Sequence, residues 1–507
     1  MPPAKRERRP SVCFLLYSPD ISGGTAVVFY HAAYAQRQGW DVLIVTDHDA
    51  GPDRVAWHPD GPSLTFKRFS EVKDVSFDLA IGTYWKTALR LHEVQAAHYI
   101  YFVQSIESRF CQSFEETLRD LIESTYGLNV HFVTEVEWIQ DYLLEHFDTK
   151  AALVHNGVHK GIYRLQGPTI SARPDDVLRV LVEGPLGVPM KNTERSIALA
   201  NAAGADEVWL LTSSELKSYP GVDRVFSRIP SHLTGEVYRS CHVLVKLSYV
   251  EGMFGPPLEA LLCGATVVAY KVTGHDLYLK HDENSILADF DDEYAVMKAI
   301  VRLREDCAFR QRLLANAAPS VADWPDWTTS SSRFIEALLN ILNGPPKASR
   351  KALAGQCVLI ETAYVTAERL RLEFMRSHGE NPVVNPTSRY EYPQGRRTNE
   401  LEAQVRELRA KLRTIEQQPS QMTAGTEQQS LLQLTSEVDR LREVIAAQEK
   451  IVLERWDAIQ EMGRFIYERD QRIEELEGEL KRLAPTAGHS PKGVNGVDTA
   501  PPPAAGP

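Results

Sequence analysis

Residues 241–248 are an apolar, β-branched run that leads through a short glycine-bearing loop into two consecutive prolines. Proline has no backbone N–H, and the first turn of a helix leaves those groups unused. Pro256 and Pro257 therefore open a helix rather than break one. Leu258, Ala260, Leu261 and Leu262 continue it, and Gly264 ends it. A second β-branched run, residues 266–270, follows. Strand, loop, helix, strand is a βαβ unit, and its parallel strand pair commits the surrounding chain to an α/β sheet.

The loop inside this unit can carry chemistry. Gly252 and Gly255 let a ligand approach the backbone closely. The helix behind them aims free N–H groups and a partial positive charge at the loop, which favours a phosphate. Glu251 sits in the loop. Glu259 sits about a turn inside the helix, where a carboxylate can accept paired hydroxyl hydrogen bonds. A phosphate seat flanked by two such carboxylates suits a nucleotide sugar. An ordinary βα turn with two surface glutamates has the same spacing, and spacing alone does not separate the two.

The alternation extends in both directions. Residues 12–17, 41–46, 77–82, 98–103 and 129–133 read as strands separated by helical stretches, and a second block of strands begins at residue 178. Gly23 and Gly24 lie just past the first strand, at the carboxyl edge where α/β sheets bind ligands. The expected organisation is a flexible stretch over residues 1–10, a Rossmann-like domain over 11–167, a linker over 168–176 and a second Rossmann-like domain over 177–343. A helical segment with a linker covers 344–399. Apolar residues then hold a heptad seam, including Leu401, Val405, Leu408 and Leu412 and later Leu431, Leu434, Val438 and Leu441, which predicts a coiled coil over 400–484. The Pro/Ala/Gly-rich tail, 485–507, is expected to be disordered. The fold class is thus α/β, two doubly wound domains facing a cleft plus a C-terminal α-helical coiled coil.

Composition narrows the function. A net charge of −12 argues against wholesale nucleic-acid binding. Six cysteines without C-x-x-C spacing fit a reduced, cytoplasmic chain rather than a disulfide scaffold or zinc site. No apolar run is long enough to span a bilayer.

Glu251-Gly252-(x)-Phe254-Gly255-(x3)-Glu259-Ala260, followed by Gly264-Ala265-Thr266-Val267-Val268, resembles the E-x7-E signature of retaining glycosyltransferases of family 4, which have the GT-B fold. Thr134-(x3)-Trp138 with Asn156-Gly157-Val158 resembles the close of that family's N-terminal domain. Residues 101–104 resemble a bacterial subset thought to make rhamnose-containing surface polysaccharides. The resemblance implies an N-terminal acceptor domain and a C-terminal donor domain. It implies that Glu251 contacts the transferred sugar, Glu259 the ribose, and Lys191 the diphosphate, with Glu251 and Lys191 as the catalytic pair. Gly23, Gly24, Gly252, Phe254, Gly255 and Glu259 would bind the donor; Gln104 and Asn156 would line the acceptor or sugar pocket. Gln104 stands at the family's histidine position, with Glu107 and His92 nearby in sequence. The family's second cation, an arginine six residues before Lys191, is Pro185 here.

No metal and no cofactor are expected, since Lys191 supplies the cation; Asp47-His48-Asp49 has the form of a D-x-D metal motif, but such triplets are common by chance and it stands as the minor alternative. The expectation is a retaining, metal-independent glycosyltransferase acting on a glycan or lipid-linked acceptor in bacterial surface polysaccharide synthesis. Its partners are a nucleotide-sugar donor, that acceptor, and further copies of itself through the coiled coil, in the cytoplasm or at the inner face of the membrane. The rival reading is a degenerate transferase domain that serves as a scaffold for the coiled coil. Pro185 favours the rival, and the two glutamates oppose it.

Overall fold

The computed structural model describes residues 9–112 and 115–377. The expected coiled coil at 400–484 and the tail at 485–507 lie outside the described residues, as does most of the linker before them. The described residues all belong to one unit, Met1–Leu453.

In the first half the elements run β1 (Ser11–Leu15), α1 (Gly23–Arg37), β2 (Asp41–Val45), α2 (Pro52–Val55), β3 (Phe66–Lys67), β4 (Ser76–Gly82), α3 (Trp85–Leu89), β5 (Gln95–Val103), α4 (Glu116–Ser124), β6 (His131–Thr134), α5 (Glu137–Phe147) and β7 (Ala151–Leu153). All strands are parallel, in the order β3-β2-β1-β4-β5-β6-β7. The second half runs β8 (Arg179–Glu183), α6 (Thr193–Ala202), β9 (Glu207–Thr212), β10 (Arg224–Ser227), α7 (Ser231–Ser240), β11 (Val243–Lys246), α8 (Gly255–Leu262), β12 (Thr266–Tyr270), β13 (Ser285–Ala288), α9 (Glu293–Glu305), α10 (Cys307–Ala317), α11 (Trp327–Leu342) and α12 (Arg350–Ser377). Its sheet, also parallel, has the order β10-β9-β8-β11-β12-β13.

The apolar runs that suggested strands are buried on both faces, as parallel sheets require. Val12, Phe14, Val243, Val245, Val267 and Val268 are all fully buried. In each sheet the strand order reverses beside its first strand, between β1 and β4 and between β8 and β11. Such reversals leave a crevice at the carboxyl ends of the strands. The first sheet opens onto residues 16–24 and 83–84, and the second onto 184–191 and 247–255.

Two details differ from the sequence expectation. The helical run expected from Asp292 to Ala317 is two helices. Asp306 breaks it, its side chain accepting from the Phe309 N–H at 2.9 Å as the N-cap of α10. The strands β3, β7 and β13 went unread. As the resemblance of the Trp324/Trp327 region to the family's last helix implies, α11 follows the second sheet in sequence but packs on α1 of the first. There His31 stacks on Phe334 at 4.1 Å and accepts or donates a 3.0 Å bond with Ser331, and Trp327 stacks on Tyr30 at 4.2 Å. Then α12 packs on α4, where the Thr117 hydroxyl donates to Glu368 Oε2, and it adds Leu353 and Cys357, both fully buried, to the core of the first half. The chain therefore crosses back and fastens the two sheets together.

Candidate active site

The helix expected from the two prolines is α8, which begins at Gly255 with Pro256 and Pro257 in its first turn. It ends where Gly264, at φ +74, takes a left-handed conformation that suits glycine. Ahead of it the loop from Glu251 to Phe254 leaves the second sheet and docks on the first domain. A Cβ on Gly252 would sit 2.0 Å from the carbonyl oxygen of Gln104 and 2.9 Å from Glu135 Oε1, so only glycine fits. The Gly252 carbonyl accepts from Trp138 Nε1 at 3.1 Å, and the Met253 N–H donates to Glu135 Oε1 at 3.0 Å. Glu135 Oε2 accepts from Asn156 Nδ2 at 2.6 Å. On the other side of Gln104, its amide lies 3.4 Å from where a Gly24 Cβ would be, and its Nε2 donates to the Thr83 carbonyl at 3.4 Å. Gly24, Gln104 and Gly252 are thus neighbours at the meeting of the two crevices.

Behind the loop lies a chain of alternating charges. Lys191 Nζ is 2.8 Å from Glu251 Oε2. Lys246 Nζ is 3.8 Å from Glu251 Oε1 and 2.6 Å from Glu183 Oε2. Burial raises the Glu251 carboxyl, but the two ammonium groups outweigh burial and hold it below its ordinary value. Lys246 shows the same contest: burial lowers it, and Glu183 and Glu251 together raise it above its ordinary value. Glu259, half-buried on α8, meets the opposite balance. Burial pushes it up to about 7, Glu183 adds to the push, and the hydroxyls of Tyr163 and Tyr238 and the charge of Lys246 only partly oppose it. Two glutamates a helical turn or two apart therefore hold different charge states near neutrality, one ionised and one poised to titrate.

The expected site residues do not all behave alike. Lys191, Glu251, Gly252, Gln104 and Gly24 converge. Gly23 and Gly255 border the same loops with open space where a side chain would begin. Phe254 needs correction as a donor contact. Its ring is fully buried in the core with Leu258 and Leu261, and its carbonyl accepts from the Tyr278 hydroxyl. What it contributes to the loop is anchorage. Asn156 is buried and committed to Glu135, and its carbonyl accepts from Trp324 Nε1 at 2.9 Å, so it props the docked loop rather than lining a pocket. Glu107 is locked inside the first domain by Tyr101 and the Trp85 N–H, and burial pushes it up to about 8. Asp47 pairs with Arg90 at 2.8 Å.

Sequence reasoning missed Glu135, Glu183 and Lys246. The available signal was a charged residue closing an apolar strand: Glu183 ends β8 and Lys246 ends β11. Their encounter depends on the parallel pairing of those strands, about sixty residues apart, which local sequence does not display.

Two doubly wound parallel sheets with their crevices apposed, and a returning C-terminal helix on the first, are the GT-B fold. Among solved structures, the chain resembles Anabaena HepE in complex with UDP-glucose, with a TM-score of 0.54, 14% identity and coverage of 65% of this chain and 99% of that one. It also resembles sucrose-phosphate synthase from Thermosynechococcus elongatus, with a TM-score of 0.51, 18% identity and coverage of 66% and 99%. In sequence, residues 204–319 match the family model for glycosyl transferases group 1. That stretch holds Lys246, Glu251 and Glu259. Over 276 residues, 52% of this chain, the sequence is 28% identical to the O-antigen biosynthesis protein RfbC of Myxococcus xanthus. The match covers 21% of that relative, so the chain spans about a fifth of its length.

Proposed function

We propose that the chain is a retaining glycosyltransferase that moves a sugar from a nucleotide-sugar donor to a glycan or lipid-linked acceptor in surface polysaccharide synthesis. The observation that carries this reading is the convergence of Lys191, Glu251 and the Gly252 loop of one domain on Gln104 and Gly24 of the other. The donor's diphosphate lies by Lys191, whose charge stabilises the departing nucleoside diphosphate. Glu251, held ionised, accepts from hydroxyls of the transferred sugar. Glu259 accepts from the ribose. Gln104 can hydrogen-bond a sugar but cannot carry a proton. This suits attack from the leaving group's own face, with the departing phosphate taking the acceptor's proton. The RfbC relative supports the pathway, and the UDP-glucose complex of HepE supports the donor class. No metal takes part in this scheme. The chain works as a homo-oligomer joined by its heptad seam, in the cytoplasm at the inner face of the membrane; among the described residues no helix is long and apolar enough to cross a membrane.

Pro185, where the family's arginine would stand, favours a second reading in which the transferase fold is inert and serves as a scaffold. Thermal stabilisation by UDP, GDP, ADP or dTDP separates the two. A clear rise in melting temperature with at least one of them, unchanged by EDTA, is expected. No stabilisation by any would leave the scaffold, and stabilisation lost in EDTA and restored by Mn²⁺ would overturn metal independence.

A further inference from the structure

We propose that Lys246 is a standby counter-ion: it keeps Glu251 compensated when Lys191 turns from that carboxylate to the donor's diphosphate. The inference rests on the nucleotide-sugar reading above and assigns a positioning role to a residue outside the expected site.

The two lysines differ in reach. Lys191 follows the β8 crevice on a short turn, and its side chain is 25% exposed. Lys246 closes β11, and its side chain is 3% exposed. A ligand in the cleft can meet Lys191 and cannot meet Lys246. Of the three N–H donors of Lys191, one goes to Glu251 at 2.8 Å and one reaches the Val250 carbonyl at 3.5 Å. A diphosphate, with more charge and more oxygens, meets the remaining donor, draws the ammonium towards itself and weakens the pair with Glu251. Glu251 is 7% exposed, and a buried carboxylate that loses its cation takes up a proton instead of remaining charged. A protonated Glu251 could no longer accept from two sugar hydroxyls.

Lys246 is built to prevent this. Its ammonium has three N–H donors. Two go to Glu183, to the carbonyl at 3.2 Å and to Oε2 at 2.6 Å. The third remains for Glu251 Oε1, which has no hydrogen bond of its own and lies 3.8 Å away. A small shift closes that gap without breaking the pair with Glu183. The other groups that face Glu251 cannot substitute. Ser248 carries no charge, and Glu135 and Tyr278 add none of the needed sign.

The test is calorimetric titration with UDP, GDP, ADP and dTDP, in buffers of different ionisation enthalpy, on wild type, Lys246→Met, Lys246→Arg and the Glu183→Gln/Lys246→Met double variant. Comparison against wild type cancels the titration of the phosphates; because Lys246 also lowers Glu259, the same series is repeated with Glu259→Gln, which removes that carboxyl from the comparison. Lys246→Met is expected to take up about one more proton than wild type per nucleoside diphosphate bound near pH 8. Its affinity relative to wild type is expected to fall by about tenfold per pH unit above neutrality. Lys246→Arg should restore wild-type behaviour. The double variant should repeat the Lys246→Met result, which rules out the orphaned Glu183 as its cause. Equal proton uptake in wild type and Lys246→Met would overturn the inference and leave the nucleotide reading standing. Wild type that binds none of the four ligands would overturn both. If both methionine variants fail to fold while Lys246→Arg folds, Lys246 is a structural residue and the inference is overturned.

Discussion

Glu259 shows how one side chain can report on the site's chemistry. To accept two ribose hydroxyls its carboxyl must be ionised, and burial has pushed it up to about 7. Nucleotide affinity is therefore expected to climb as pH rises through about 7 and to level off above it. Glu259→Gln should flatten that climb. Glu259→Ala should weaken binding by about 1–3 kcal/mol, the scale of hydrogen bonds to a charged group. Titrating the same nucleoside diphosphate across pH checks all three, and unchanged affinity in a folded Glu259→Ala variant would remove the residue from the donor site.

At the scale of elements, the loop between β11 and α8 must pass between the two domains, and Gly252 is where it has no room to spare. Gly252→Ala would place a carbon 2.0 Å from the Gln104 carbonyl oxygen, a backbone atom that cannot swing aside. The expected outcome is a protein that folds, because both sheets are built independently of this contact, but that loses turnover by about a hundredfold through a displaced Glu251. Wild-type turnover in Gly252→Ala would mean that the loop docks differently in the working enzyme. The contact also shows what could be read in advance. The strand-loop-helix-strand order, the prolines and the closing glycine are local, each acting within a few residues, and they were legible. The structure brings Lys191 and Glu251, named from the family resemblance, within 2.8 Å of each other. Phe254 misled because a motif residue need not touch the ligand; its ring faces the core. Two-residue β3 carries too short a pattern to read, and the break between α9 and α10 rests on a single capping aspartate inside an otherwise periodic run. Glu135, Glu183 and Lys246 depend on which strands and loops become neighbours, which tertiary packing settles; the return of α11 to the first sheet was legible only through the family resemblance of the Trp324/Trp327 region.

For the whole molecule, the buried titratable groups pull in opposite directions. Burial lowers His31, His58 and His242 to about 3, and His131 to about 4. The unfolded chain protonates these below 6.5 while the folded chain resists, so their contribution to stability falls as pH drops below 6.5. Burial raises Glu135 and Glu259 to about 7 and Glu107 to about 8. These favour the folded state at low pH, and that contribution is lost as pH rises from 4.5 through those values. Between about pH 4.5 and 6.5 the two sets nearly cancel, so a broad plateau of melting temperature is expected there, with a decline on each side; a melting temperature that rises steadily from pH 5 to 8 would contradict it. The tail poses the last question at this scale. The heptad seam between residues 431 and 483 keeps one register over about seven heptads, a length that suits a coiled coil. A single helix of that pattern would leave an apolar stripe in water, so it needs a partner, and another copy of the chain offers the matching stripe in the same register. Joining two or three copies would hold several clefts over one acceptor chain or membrane surface, and binding through several sites gains from high effective concentration. Light scattering is expected to find a dimer or trimer for the full chain and a monomer for a chain ending at Ser377. A full-length monomer would refute the seam as an interface, and an oligomer that survives removal of the tail would place the interface on the two sheet domains or on α12.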